Sequence, residues 1–343
     1  MSENPRGQAD RERWTGSPLE PRMAWFQGIF IGHPTLNSVI EHVKWRRNLL
    51  KVGGDPRGIM VLAPPDGGKT SLMTHLAELL PATEYREQLS DGSWITGTEF
   101  PCICITCPSP CNVPEMGKAI LAGLNSPLAF ARKSARKTSD VINQLKLART
   151  TMLVIDNAHD IPEQRGPVGQ YNILSSVRDI IEEARVIVVM LGTDITETIL
   201  LSNPQLHKRI PAPLRLGFYD VGTRDGLARA LRMLDTLDEW LPFAKKSNLG
   251  TGRLGYGLAC AGDGKIGTCC TILRGAFSYA VEAGREYLII DDVNKSYKQL
   301  YLDYAGAVNP FDDGFIPRRL ILPGEPHFQV AVRRKTEPRK SAK

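Results

Sequence analysis

Ala63-Pro-Pro-Asp-Gly-Gly-Lys-Thr-Ser71 follows directly on the apolar run Gly58-Ile-Met-Val-Leu62 and leads into Leu72, His75, Leu76 and Leu79 at helical spacing. This order predicts a short buried strand, a glycine loop and an amphipathic helix. The loop fits the phosphate-cradling pattern G-x-x-x-x-G-K-[ST], with Ala63 in place of the first glycine. Backbone N–H groups at such a helix start point at an anion, and the helix dipole adds partial positive charge. The predicted cradle comprises Pro65, Asp66, Gly67, Gly68, Lys69, Thr70 and Ser71. Lys69 is expected to neutralise β/γ-phosphate oxygens and Thr70 to hold a magnesium ion. The implied ligands are ATP and Mg2+.

Working outward, apolar runs alternate with helical patterns. Pro34–Leu50 carries Leu36, Ile40, Val43 and Leu50 at helical spacing, with Thr35 available as a cap. Further strands are predicted at 101–106, 151–156, 186–191 and 214–218. Helices are expected at 113–124, around 130–149, and at 170–183, with a polar loop around Ser90–Thr98. Such alternation means a parallel sheet flanked by helices on both faces. From about Leu227 the pattern turns mainly helical, which predicts a small C-terminal helical lid. The boundaries read as an N-terminal arm at 1–28, an α/β nucleotide domain at 29–225, the lid at 226–312 and a basic tail at 313–343.

The strand at 151–156 ends in Asp156 after four apolar residues, where a carboxylate would accept hydrogen bonds from metal-bound water. Asn157 follows, and an amide cannot take a proton, so general-base help at that position is lost. Hydrolysis is then slow, or a nearby carboxylate such as Asp160 or Asp66 substitutes. Thr193, after the strand ending at Leu191, is a candidate to orient the lytic water. Arg209, at the end of Gln205-Leu-His-Lys-Arg209, is a candidate to reach a neighbouring subunit's γ-phosphate. Lys265, in the lid, is a candidate to close over the phosphates.

Composition narrows the class. The 343 residues are 42% hydrophobic and 23% charged, as in globular proteins. No apolar run approaches the roughly 18 residues of a membrane span. The polar opening Met1–Gly7 and seven cysteines beside an ATP site predict a cytoplasmic protein with free thiols. Nearly all of the net charge of +6 sits from Arg333 onward, where six basic residues face Glu337 alone. Such a tail suits a polyanion. Arg132, Lys133, Arg136 and Lys137 pair like charges at i,i+4, a repulsion that duplex DNA would relieve without sequence preference. Cys102, Cys104, Cys107 and Cys111 invite a zinc reading, but Cys102 and Cys104 fall on a buried strand and pack there as small hydrophobes.

Together these motifs and the helical lid resemble an AAA+ ATPase. Ile31-Gly-His-Pro34, Val154-Ile-Asp-Asn-Ala-His159, Leu241-Pro-Phe-Ala-Lys-Lys-Ser-Asn-Leu249, Gly262-Asp-Gly-Lys-Ile-Gly267 and Asn309-Pro-Phe311 resemble the TniB/TnsC family of transposon target-selecting ATPases. The resemblance spans about residues 28–312. It implies an AAA+ P-loop NTPase fold and an adenine site bordered by Ile31, His33 and Pro34. It also implies a homo-oligomer, ring or helical filament, on double-stranded DNA, with a transposase and a TniQ-like target selector as partners. Ala63 and Asn157 depart from the family pattern and bear on turnover rather than binding. Two other classes compete: a remodelling or clamp-loader-like ATPase, which Asn157 disfavours, and a nucleotide switch, which the basic tail and family strings disfavour.

Overall fold

The computed structural model describes residues 11–130, 137–164, 166–301 and 308–328. The described residues form two compact units, one within residues 30–218 and one that joins residues 11–29 to those described from Tyr219 to Phe328.

In the first unit, α2 (Pro34–Lys51) precedes β1 (Ile59–Leu62) and α3 (Lys69–Glu78). An antiparallel hairpin follows, β2 (Thr83–Gln88) and β3 (Trp94–Glu99), and then β4 (Cys102–Thr106). After α4 (Val113–Gly123) and α5 (Thr138–Leu147) come β5 (Met152–Asp156), α6 (Asp160–Gln164) and α7 (Pro167–Glu183). The unit ends with β6 (Ile187–Gly192), α8 (Thr198–Ser202), α9 (Pro204–Arg209) and the two-residue β7 (Leu214–Arg215). Among the described residues the main sheet is five-stranded and parallel, in the order β4-β5-β6-β1-β7.

Its strands are apolar on both faces because helices cover both. Met60, Leu62, Ile103, Ile105, Leu153, Ile155, Val188 and Met190 point into a core with α4, α5 and α7. The alternate residues Ile59, Val61, Met152, Val154, Ile187 and Val189 join a second core with α2 and α3. The period of two thus divides one apolar sheet between two cores.

Three local expectations are corrected. The polar loop expected at Ser90–Thr98 is largely strand β3, because Asp91 and Gly92 close a turn: Asp91 Oδ1 accepts from Ser93 N at 2.9 Å and Gly92 has φ of 86°. Arg149 then clamps the hairpin to Glu99 (2.7 Å) and Glu87 and lies 4.2 Å over the Tyr85 ring. Of the helix expected around 130–149, the described residues hold a short turn at Pro127–Phe130 and α5 from Thr138, and the cap of α2 is His33 rather than Thr35, its Nδ1 accepting from Leu36 N at 3.3 Å.

In the second unit, the stretch expected as an arm contains α1 (Leu19–Gly28), and it packs as core. Arg22 is 1% exposed. Its guanidinium donates to Trp14 O (2.6 Å), Pro242 O (2.7 Å) and Glu286 Oε2 (3.0 Å), while Phe26 meets Phe277 edge-on at 4.9 Å. A segment rich in Arg and Trp reads as solvated from composition, yet buries when its donors find carbonyls. Helices α10 (Arg224–Glu239), α11 (Gly252–Ala261), α12 (Ile266–Glu282) and α13 (Ile290–Leu300) follow. The string Leu241–Leu249 has a structural reason: Asp238 accepts from Ser247 N (3.0 Å) and Asn248 N (2.8 Å), while Leu241, Phe243 and Leu249 are buried. Packing also continues past 313, where a tail was expected. Leu320 is buried, and Arg319 grips both oxygens of Asp263 at 2.7 and 2.8 Å.

Candidate nucleotide site

The residues singled out at 63–71 lie at the carboxyl end of β1, in the bend between that strand and α3. Ala63 shows why the first glycine is dispensable. Its N–H donates to Gly192 O at 2.9 Å, so it extends the ladder beside β6 and needs no positive φ. The bend comes later, at Asp66 (φ 58°) and Gly68 (φ 87°). Gly68 is the N-cap of α3 and has no side chain to occupy the helix start, which leaves the first-turn N–H groups for an anion. Gly67 is packed tightly, since a Cβ there would stand 2.9 Å from Pro64 O.

Lys69 Nζ donates to Ala63 O at 2.9 Å and Pro64 O at 2.8 Å, folding over the loop. Burial lowers its pKa, opposed by the charges of Asp156 and Asp66. The ammonium therefore lies among carbonyls and carboxylates in a partly dry place, where an incoming polyanion would strengthen its charged form. Pro65, Asp66, Thr70 and Ser71 are exposed around the same bend.

Sheet register brings the remaining elements of this site level. Leu62 pairs with Gly192, and Ile155 with Met190, so Asp156 and Thr193 emerge at the same carboxyl edge as the loop. Asp156 is only 6% exposed, and its Oδ1 accepts from Asn157 N at 2.8 Å. Asn157 adopts φ of 54°, a left-handed conformation that Asn tolerates and Glu does not favour. Ala158 N then returns to Leu191 O at 2.8 Å, and the buried His159 Nδ1 has no hydrogen-bond partner. Thr193 is half-buried and starts the short helical turn Asp194–Glu197. The Asp156 carboxylate, the Thr70 hydroxyl and the uncapped N–H groups of the loop are donors of the kind that a magnesium–triphosphate group would require.

Ile31 and His33 stand in the segment just before α2, and Pro34 is the first residue of that helix. Burial lowers the His33 pKa, and the ring serves as the cap of α2. Arg209 ends α9 and donates through Nε to Glu182 Oε1 at 2.8 Å. With Arg57, Arg178, Gln205 and Lys208 these two line an open cavity of about 400 Å³ in which cations outnumber the carboxylate. Lys265 belongs to the second unit; its side chain is 13% exposed and paired with Asp263 at 3.3 Å. Of the four basic residues assigned to DNA, Lys137 is exposed at the N-cap of α5, while Arg132, Lys133 and Arg136 lie outside the described residues, as does the tail after Arg333.

Sequence reading passed over Arg215. It sits on β7 level with Leu62 and reaches Asp194 (2.7 Å) and Glu197 (2.5 Å), immediately after Thr193. A two-residue edge strand leaves no periodic signal, so only the sheet pairing finds it. The cysteines pair locally: Cys107 and Cys111 sulfurs are 3.1 Å apart, and those of Cys102 and Cys104 3.8 Å.

The family model described as "Bacterial TniB protein" matches residues 22–216. No curated protein matches the chain. Among solved structures, the Aeropyrum pernix ORC2 protein in ADPNP-ADP complexes is similar with a TM-score of 0.57 and 15% identity, covering 80% of this chain and 70% of that one. The Aeropyrum pernix ORC1 protein in complex with DNA gives 0.50 and 15%, covering 85% and 70%. Cdc6p from Pyrobaculum aerophilum gives 0.51 and 18%, covering 80% and 70%. At such identities the likeness concerns the fold, which is that of AAA+ P-loop ATPases.

Proposed function

The chain belongs to the TniB family, and from that premise we propose that it is an ATP-dependent, DNA-binding regulator of transposition that oligomerises on target DNA, recruits the transposase machinery, and hydrolyses ATP slowly. The observation that carries this reading is the loop at 63–71: Gly68 leaves the start of α3 uncapped and Lys69 is folded over the bend. Lys69 would bind the β/γ-phosphate oxygens, and Thr70 with Asp156 would hold magnesium, which when bound offsets triphosphate charge. Ile31, His33 and Pro34 would border the adenine, and Thr193 would orient water. Slow turnover follows from Asn157, whose amide accepts no proton and whose left-handed backbone aims its side chain away from the course that a residue in right-handed conformation takes.

Arg209 would serve a neighbouring protomer. A planar guanidinium at the rim of a cationic cavity can exchange Glu182 for γ-phosphate oxygens, which restricts the completed site to the oligomer. Double-stranded DNA would be held by Arg132, Lys133, Arg136, Lys137 and the C-terminal basic run, through contacts to phosphate that are independent of sequence. A TniQ-like selector and the transposase are the protein partners that the family implies.

Size-exclusion chromatography and negative-stain imaging with duplex DNA and a slowly hydrolysed ATP analogue test the proposal. Rings or filaments that need both duplex and analogue are expected. A monomer under every combination would overturn the oligomeric regulator reading.

A further inference from the structure

Phe30 and His75 stack face to face, with ring centroids 3.9 Å apart and planes 8° from parallel. The two residues belong to different parts of the same unit. Phe30 precedes the Ile31–Pro34 segment, whereas His75 lies six residues after Lys69 on α3, about 9 Å along a rigid helix. The segment is held at its other end by α2: His33 Nδ1 accepts from Leu36 N at 3.3 Å, and Asn37 N donates to His33 O at 2.9 Å. Between these anchors Gly32 lies so close to Asn37 that a Cβ would come within 2.4 Å of its Oδ1. Phe30 packs in addition on the core shared by α2, α3 and the sheet. The segment is thus a short bridge, one end on the cap of α2 and the other stacked on the helix that follows the phosphate loop.

We infer that the Phe30–His75 stack is a positioning contact, which registers the base-side segment Ile31–Pro34 on the phosphate-loop helix and so sets affinity for the adenine end of the nucleotide rather than for its phosphate chain. The inference rests on the reading of 63–71 as a triphosphate cradle. A nucleotide has two ends, and its affinity depends on both subsites being held at one separation. Lys69 and His75 share one helix, so the stack references the base subsite to the same rigid body that carries the phosphate subsite. Neither ring needs to touch the ligand for this effect.

The test is titration calorimetry with MgATP and with magnesium tripolyphosphate, on wild type, His75→Ala, His75→Phe, Phe30→Ala and Lys69→Ala. Loss of the stack should raise the Kd for ATP roughly two- to tenfold, the worth of an aromatic pair, and leave tripolyphosphate within about twofold. His75→Phe should restore ATP binding, and the double variant His75→Ala/Phe30→Ala should be no worse than either single one. An equal loss for ATP and tripolyphosphate would mean a general loosening of α3 and overturn the inference, as would unchanged ATP affinity in both single variants. If His75→Ala does not fold, the Phe30→Ala and His75→Phe pair decides by the same ratio. Lys69→Ala separates the two readings: it should lose both ligands, and retention of both would sink the cradle itself, whatever the stack does.

Discussion

Replacing Asn157 by glutamate restores the residue type that usually polarises water after the strand-end aspartate, and the backbone at 157 sets what that substitution can achieve. Asn157 has φ of 54°. A side chain without asparagine's tolerance costs about 1–2 kcal/mol there. Relaxing to the right-handed region instead would disturb Ala158 N to Leu191 O (2.8 Å) and Asp160 N to Asn157 O (2.9 Å), each worth about 1 kcal/mol. Either route costs about 1–2 kcal/mol of stability. A positioned general base contributes about 10²–10⁴-fold, and a strain of 1–2 kcal/mol set against it removes roughly five- to thirtyfold. From the middle of that range, about 10³-fold, a gain of roughly thirty- to two-hundredfold in phosphate release is therefore expected, together with a lower urea midpoint. Asn157→Gly, which adopts the same φ freely, should remain more stable than Asn157→Glu and show no rate gain. A glutamate variant as stable as wild type and faster by about 10³-fold would refute the backbone argument.

Arg209→Ala should leave ATP affinity of the monomer unchanged and weaken assembly on DNA, read by size-exclusion chromatography with analogue; assembly equal to wild type would remove the trans role. Neutralising Arg132, Lys133, Arg136 and Lys137 together should reduce the slope of log affinity against log salt by up to about 3.6, at roughly 0.9 for each phosphate contact. A full slope in that variant would move the DNA contact to the C-terminal basic run. Arg22→Ala should cost about 3 kcal/mol in urea unfolding, because it removes the ion pair to Glu286 and leaves three carbonyls without their donor. A loss below about 0.5 kcal/mol would return residues 11–28 to the status of a dispensable arm.

What the sequence alone determined is local. Gly58–Ser71 specifies strand, bend and helix because apolar run, glycine φ and helical spacing all act within a few residues. The parallel sheet followed from strand–helix alternation, and the proposal of slow chemistry at Asn157 starts from an amide's inability to take a proton. What tertiary structure decided depends on distant partners. Whether Arg22 is solvated or buried depends on carbonyls at Trp14 and Pro242 and on Glu286, which no window of sequence contains. The hairpin at 83–99 is mostly exposed on both strands, so no buried face marks it in the sequence, and Arg149 holds it from fifty residues away or more. Arg215 comes level with Leu62 only through the pairing of β7 with β1, and Phe30 meets His75 only because α2 and α3 share a core. Motifs are written by short-range sterics and charge; register between elements is written by packing, which the chain reveals only when folded.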